Sequence, residues 1–308
     1  MFHSLYHLIF FVWTFMSITN NTVTPKCFPQ TDSTIDFSKW ACNNITLSRD
    51  NPDLQTVNTT HLRGFGFYFS QGQVDSTLLK NFTELKNFFI DVSKLDRFEF
   101  KSDSLKNFLF ARTEVPQGSN FANCCIALEK LIVKSSKGLE LEHEGFTGLK
   151  RLKSLYIKDQ NIKHITRNTF IGLCKLKQLS LINNSIDTIQ EDSFVDLVNL
   201  RELYIEDNTL KSIHQKAFEP LSHLRSLTVY GNNLEPLPLW MFKNQNKLRE
   251  IGLPFKTWTD IDIEKFPMMF PELGFFSYKS GTESHGEIEY VRRKHKKLVT
   301  LLFRDKDT

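Results

Sequence analysis

The sequence predicts an α/β solenoid: a curved chain of equal coils, each laying one short strand beside the last in a single parallel sheet. Three observations predict it. The pattern L-x-x-L-x-L starts at Leu128, Leu152, Leu176, Leu200, Leu224 and Leu248, each 24 residues after the one before. Phe146, Phe170, Phe194, Phe218 and Phe242 keep the same period. Asn184, Asn208 and Asn232 each stand three residues past the last apolar position of their unit. No heptad and no single helix generates so long a period.

Residues 1–20 have the features of a signal peptide. The run Leu8 to Phe15 has the length of an apolar h-region, and Ser17 and Thr19 are small residues suited to cleavage near Asn20. The n-region holds His3 and His7 but no Lys or Arg. The alternative, an uncleaved anchor, needs roughly 20 apolar residues, more than this run supplies. No later stretch is long and apolar enough to span a bilayer, and the polar Arg304–Thr308 is no lipid-anchor tail. The expected product is secreted or extracellular, with no transmembrane segment after signal cleavage. Sequons at Asn44, Asn58, Asn81 and Asn183 then become expected glycosylation positions, while Asn20 lies too near the cleavage point.

Residues 21–61 are assigned to an N-terminal cap, because a solenoid exposes its core at its ends. Cys27 and Cys42 bracket this region and are expected to form a disulfide in an oxidising compartment; two free thiols are the alternative. Phe37, Trp40, Ile45 and Leu47 supply apolar cover for the first strand. The solenoid is assigned to 62–303, about eleven units, with 128–272 the most regular, and 304–308 to a tail. Upstream, Leu62/Phe65/Phe67, Leu85/Phe88/Ile90 and Leu105/Phe108/Phe110 keep the motif with Phe in place of Leu. Downstream, Leu273/Phe276/Tyr278 and Leu298/Leu301/Phe303 follow at steps of 25. The step from Leu85 to Leu105 is only 20 residues, so that coil is tight or the register slips there.

The unit L-x-x-L-x-L-x-x-N-x-L…F-x-x-L resembles that of the extracellular leucine-rich repeat family, as in Toll-like receptor and Slit-type ectodomains. The resemblance implies a leucine-rich repeat solenoid (horseshoe) with a concave parallel β-sheet and a mostly irregular convex side, which the Phe column fills. It also implies that the repeated Asn bonds backbone groups of neighbouring coils, since a buried amide must be paired. Gln160 and Lys256 replace that Asn, so the ladder is expected to break at both. The family often carries four cysteines in each cap; here the N-terminal region has two and none lies beyond Cys174.

Cys124, Cys125 and Cys174 read as free buried thiols. Cys174 sits two coils from the pair, about 10 Å by strand spacing, too far for a disulfide. No metal-ligand spacing, nucleophile elbow or phosphate loop occurs, so neither a metal, a cofactor nor an enzyme is expected. His143 between Glu142 and Glu144 reads as surface.

Solenoids commonly bind on the concave face. One column there reads Lys153, Lys177, Arg201, Arg225, Arg249. A second reads Tyr156, Ser180, Tyr204, Thr228, Gly252, and a third Lys158, Ile182, Glu206, Tyr230, Pro254. All three are expected to face solvent. The five-rung basic ladder suits an acidic partner, and Tyr156, Tyr204 and Tyr230 offer rigid contact area. Alternatively Glu202, Glu250, Glu206 and Asp207 neutralise the ladder. The run Arg292 to Lys297 reads as a polyanion or processing site, or as a solvated loop.

Hydrophobic residues make up 40% of the 308, including 28 Phe, which allows a sizeable core and argues against a disordered or collagen-like chain. The formal charge of +4 is too mild to imply nucleic acid. The expected function is recognition of a protein ligand through the concave sheet. The alternatives are a soluble inhibitor or scavenger of an enzyme or toxin, and a matrix protein that binds glycosaminoglycan.

Overall fold

The computed structural model describes residues 26–29, 40–48, 50–55, 57, 59, 61–235, 237–254, 269–280, 284–291 and 300–305. Its main element is one sheet of 14 strands. From Trp40–Asn43 to Phe275–Ser280 successive strands pair in parallel. The register is the one the 24-residue period demands: Leu131, Leu155, Leu179, Leu203, Leu227 and Ile251 lie rung on rung. These residues are buried because the side-chain period of a strand is two and one face points into the coil. A single rung cannot cover them; the neighbouring rungs do. The short step holds as a tight coil, with Phe88 paired to Phe108 and both Leu85 and Leu105 buried.

Both ends of the sheet depart from parallel pairing. Lys26–Pro29 pairs antiparallel with Trp40–Asn43, and this register sets Cys27 opposite Cys42, where they form a disulfide. At the other end Phe275–Ser280, Ser284–Val291 and Thr300–Asp305 form an antiparallel run. The expected parallel coil at Leu298/Leu301/Phe303 is therefore replaced by a returning strand. Only residues 281–283 separate the first two of these strands, and a parallel crossover needs a dozen residues or more.

The side away from the concave face is less irregular than the resemblance implies. Thr46–Leu47, Gln71–Asp75, Lys94–Glu99, Glu114–Ser119 and Lys137–Leu139 form a second sheet of five strands. Gln71–Asp75 alternates exposed and buried residues, the signature of a half-buried strand. In later coils this sheet gives way to short strands at His164–Ile165, Thr188–Ile189 and Ser212–Ile213. Behind them the rings of Phe121, Phe146, Phe170, Phe194, Phe218 and Phe242 stack 5.8 to 6.5 Å apart and within 18° of parallel. In the first coils Phe88, Phe98, Phe108 and Phe110 occupy inward strand positions and meet mostly edge to face or tilted.

Each coil leaves the concave strand through one residue at positive φ, among them Phe69, Val92, Arg112, Ser135, Asp159, Asn183, Asp207 and Gly231. Val92 is β-branched, a residue type strained in this region. The next residue of the coil carries the internal ladder. In the first coils it is a hydroxyl: Ser70 N–H donates to Ser93 Oγ at 3.2 Å, and Thr113 N–H to Ser136 Oγ at 3.2 Å. In later coils it is an amide: Asn184 Oδ1 accepts from Gln160 N–H at 3.0 Å, Asn208 Oδ1 from Ile186 N–H at 3.2 Å and Asn232 Oδ1 from Leu210 N–H at 3.0 Å. Their amide nitrogens donate to Leu181 and Val229 carbonyls, among others.

Gln160 does not break the ladder as expected. In the orientation that satisfies both ends of its amide, the oxygen accepts from Ser135 and Ser136 N–H at 2.7 and 2.8 Å. Gln160 thus bonds the preceding coil, as the asparagines do, and joins the hydroxyl and amide segments. Lys256 lies outside the described residues.

Candidate functional site

The concave sheet presents outward columns between its buried ones. In strand order the central column reads Gly66, Phe89, Leu109, Ile132 and Tyr156. It continues as Ser180, Tyr204, Thr228 and Gly252. The apolar first half was not read from the sequence. The signal was there, in Phe89, Leu109 and Ile132 at positions where the period leaves side chains facing outward. Gly66 is fixed by this column: a Cβ would lie 2.0 Å from the Phe89 ring, which covers the glycine flat. Tyr68 packs on the same ring, centroid to centroid 4.7 Å.

The central column faces solvent less than expected. Ser180, Tyr204 and Thr228 are 5%, 9% and 2% exposed, while Tyr156 and Tyr230 are half-buried. Strands stand only about 4.8 Å apart, so side chains of adjacent rungs lean on one another. Their polar ends are joined in a network. Ser154 Oγ and Tyr156 OH both donate to Gln178 Oε1, at 2.7 and 3.0 Å. Gln178 Nε2 donates to Glu202 Oε2 at 2.8 Å, and Tyr204 OH donates to the same oxygen at 3.3 Å. One strand column over, Thr228 and Tyr230 hydroxyls donate to Glu206.

The electrostatics follow from burial. It pushes the phenols of Tyr156, Tyr204 and Tyr230 up, with Glu202 or Glu206 adding to the effect, so they remain protonated donors. Burial also raises the Glu206 carboxyl; the Thr228 and Tyr230 hydrogen bonds oppose this and Asp207 and Glu250 reinforce it. Lys130 sits over the Tyr156 ring at 5.4 Å, and burial lowers its ammonium.

The basic column stands at the entry to each strand, and Lys153, Lys177, Arg201, Arg225 and Arg249 are all exposed. It is longer than the sequence reading had it. The same backbone position is filled by Arg63, Lys86 and Lys106 in earlier coils and, among the described residues, by one acidic rung, Glu129. Lys153 Nζ meets Glu129 at 2.6 Å and holds that carboxyl below the usual range. Arg249 meets Glu272 at 2.8 Å. Among the described residues, Lys177, Arg201 and Arg225 make no ion pair. Among the described residues, Glu202 and Glu206 make no ion pair with this column; their carboxylates accept from the hydroxyls of the network. Lys158, in the third column, is half-buried.

The remaining sequence candidates are scattered. Asn44, Asn81 and Asn183 are exposed; Asn58 and the basic run 292–297 lie outside the described residues. Cys124 and Cys125 are buried free thiols, but Cys174, expected to be buried, is exposed on the turn before a strand. Among the described residues no group of three His, Cys, Asp or Glu gathers at one point, and no helix is long and apolar enough to cross a membrane.

Comparison with known proteins places this geometry. A family model described as leucine rich repeat matches residues 126–186, 151–210, 175–234 and 199–254. No curated protein sequence matches the chain. Among solved structures, the complex of TLR13 with ssRNA13 aligns at a TM-score of 0.51 and 20% identity, over 78% of this chain and 40% of that one. An internalin (inlF) from Listeria monocytogenes aligns at 0.47 and 19%, over 62% of this chain and 54% of that one. The chain thus spans less than two thirds of either. At such identity the likeness concerns the fold alone. Residues 126–254 match the leucine rich repeat model, and the 24-residue period with its rung-on-rung register gives the described chain a leucine-rich repeat solenoid fold, resembling that of the TLR13 structure.

Proposed function

We propose that this chain is an extracellular recognition protein that binds a protein ligand through its concave sheet. The observation that carries the reading is the central column. Leu109, Ile132 and Tyr156 offer apolar area in consecutive rungs, and Tyr156 opens directly onto the hydrogen-bonded tyrosines and carboxylates. Aromatic groups already locked by hydrogen bonds lose little entropy on binding, which is what makes good anchors. Lys130, Lys134 and Lys158 flank the apolar rungs and favour a partner with acidic groups around an apolar centre. The same reading has residues 1–20 removed on export and glycans at the exposed sequons.

The test is affinity purification of partners with the secreted, full-length chain, followed by titration of the purified partner. Ile132→Asp and the triple replacement of Tyr156, Tyr204 and Tyr230 by Ala should each weaken binding by tenfold or more, about 1.4 kcal/mol. Unchanged affinity in variants that keep the wild-type fold by circular dichroism would move the site off the concave centre. The mass of the secreted chain before and after removal of N-glycans checks cleavage and glycosylation. The likeness to a receptor solved with RNA lends no support to the expectation that nucleic acid is excluded, so RNA belongs among the competitors tested.

A further inference from the structure

We infer that the edge of the solenoid leading into the concave strands is a second, separate binding surface, built for a linear sulfated polysaccharide. In five successive coils the four residues ahead of the strand read KRLK, CKLK, VNLR, SHLR and NKLR, ending at Lys153, Lys177, Arg201, Arg225 and Arg249. These turns contain nine Lys or Arg and no acidic residue. They make two exposed columns. The outer one holds Arg151, Lys175, Asn199, His223 and Lys247, two residues before the inner basic column.

The array is rigid. The carbonyls of Lys153, Lys177, Arg201 and Arg225 each accept two N–H bonds from the next coil: Lys153 O from Lys177 and Gln178 at 2.8 and 3.1 Å, and Arg201 O from Arg225 and Ser226 at 2.7 and 3.0 Å. The outer column is tied as well, since Asn199 Nδ2 donates to Cys174 O at 2.8 Å. The cations are therefore held at one strand spacing, about 4.8 Å, along a line. Among the described residues, ion pairs touch only its two ends, at Lys153 and Arg249. Among the described residues, Arg151, Lys175, Lys177, Arg201, Arg225 and Lys247 make none. Stacked like charges repel, and a polymer with anions at regular intervals is what relieves them.

The rest of the strip narrows the class of polymer. Each turn's leucine is buried, and no Phe, Tyr or Trp occurs in the five turns. A single-stranded nucleic acid needs aromatic stacking platforms, and a protein partner needs a cluster of apolar or aromatic anchors; this strip has no aromatic ring and a single exposed aliphatic side chain, Val198, among its charges. A sulfated polysaccharide carries anions on successive sugar rings and asks for nothing more. The one sequon in these coils, Asn183, stands at the opposite end of the strand, so a glycan there leaves the edge open.

The test uses the full-length secreted chain on immobilised heparin, with a sulfonate resin as the control for net charge. Wild type should elute from heparin at higher salt than from the resin, because release of counterions makes such binding steeply salt-dependent. Lys177→Gln/Arg201→Gln/Arg225→Gln should lose about tenfold or more in heparin affinity at fixed salt. Lys137→Gln/Lys163→Gln/Lys211→Gln removes the same charge from other exposed positions and should change it less than about twofold. All six positions are exposed, so folding is not at stake. Equal losses in the two triple variants, no loss in the first, or displacement of heparin by polyuridylate at matched charge would each overturn the inference. The concave variants Ile132→Asp and Tyr156→Ala should keep wild-type heparin affinity, so this surface and the concave site stand or fall separately.

Discussion

At the scale of single residues, the interior is held by polar groups that have no water to fall back on. Asn208 is 7% exposed, and its amide accepts from Ile186 N–H and donates to Leu181 and Glu206 carbonyls. Asn208→Ala strips partners from two coils at once and should cost about 2–3 kcal/mol in chemical denaturation. Glu206 behaves differently. Because burial raises its pKa, there is a pH window in which the folded chain keeps a proton that the unfolded chain has released. Stability must fall as pH rises through that window. Glu206→Gln should abolish the dependence: thermal melts should show the variant gaining on wild type above the window and matching it near pH 3, well below the ordinary carboxylate value of about 4.3. Asn184, Asn208 and Asn232 were legible in the sequence because their spacing repeats and an amide can donate and accept several bonds at once along a ladder. Ser70, Ser93, Thr113 and Ser136 do the same work but were not read, since a hydroxyl next to a turn is common whatever its role.

At the scale of elements, the Phe column shows what repetition adds. Phe170 is 1% exposed and stacks at 6.3 Å on both Phe146 and Phe194. Phe170→Ala should lower unfolding free energy by about 3–5 kcal/mol, since neighbouring rungs are pinned by their own hydrogen bonds and cannot collapse into the space. The stacked column was readable because an apolar ring every 24 residues has no other explanation. The short strands behind the later coils were not: two residues, as in Thr188–Ile189, are too few to display a period. The antiparallel strand Thr300–Asp305 was misread as a coil because Leu301 and Phe303 mimic the spacing by themselves, and nothing in a motif says in which direction the strand will run.

At the scale of the whole molecule, the sequence determined where side chains point but not what lies beside them. The 24-residue period placed every concave column in advance. It did not reveal that Glu202 and Glu206 would turn toward the hydroxyls of Tyr204 and Thr228 and not toward Lys177, Arg201 and Arg225, because that choice depends on distances between rungs. It also could not say that tyrosines in an outward column would be largely covered, which follows from the crowding of side chains on a concave sheet.

The changeover at Gln160 has a dynamic consequence. On one side of it the coils are tied by single hydroxyls and a five-stranded second sheet; on the other they are tied by amides with several bonds each. A molecule in which each coil touches only its neighbours can open piecewise, and the natural place for it to part is where the mode of fastening changes. Native-state hydrogen exchange should then resolve two plateaus of protection meeting near Gln160. The amides of Leu179, Leu203 and Leu227 should exchange together, at a rate distinct from those of Phe88, Phe108 and Leu131.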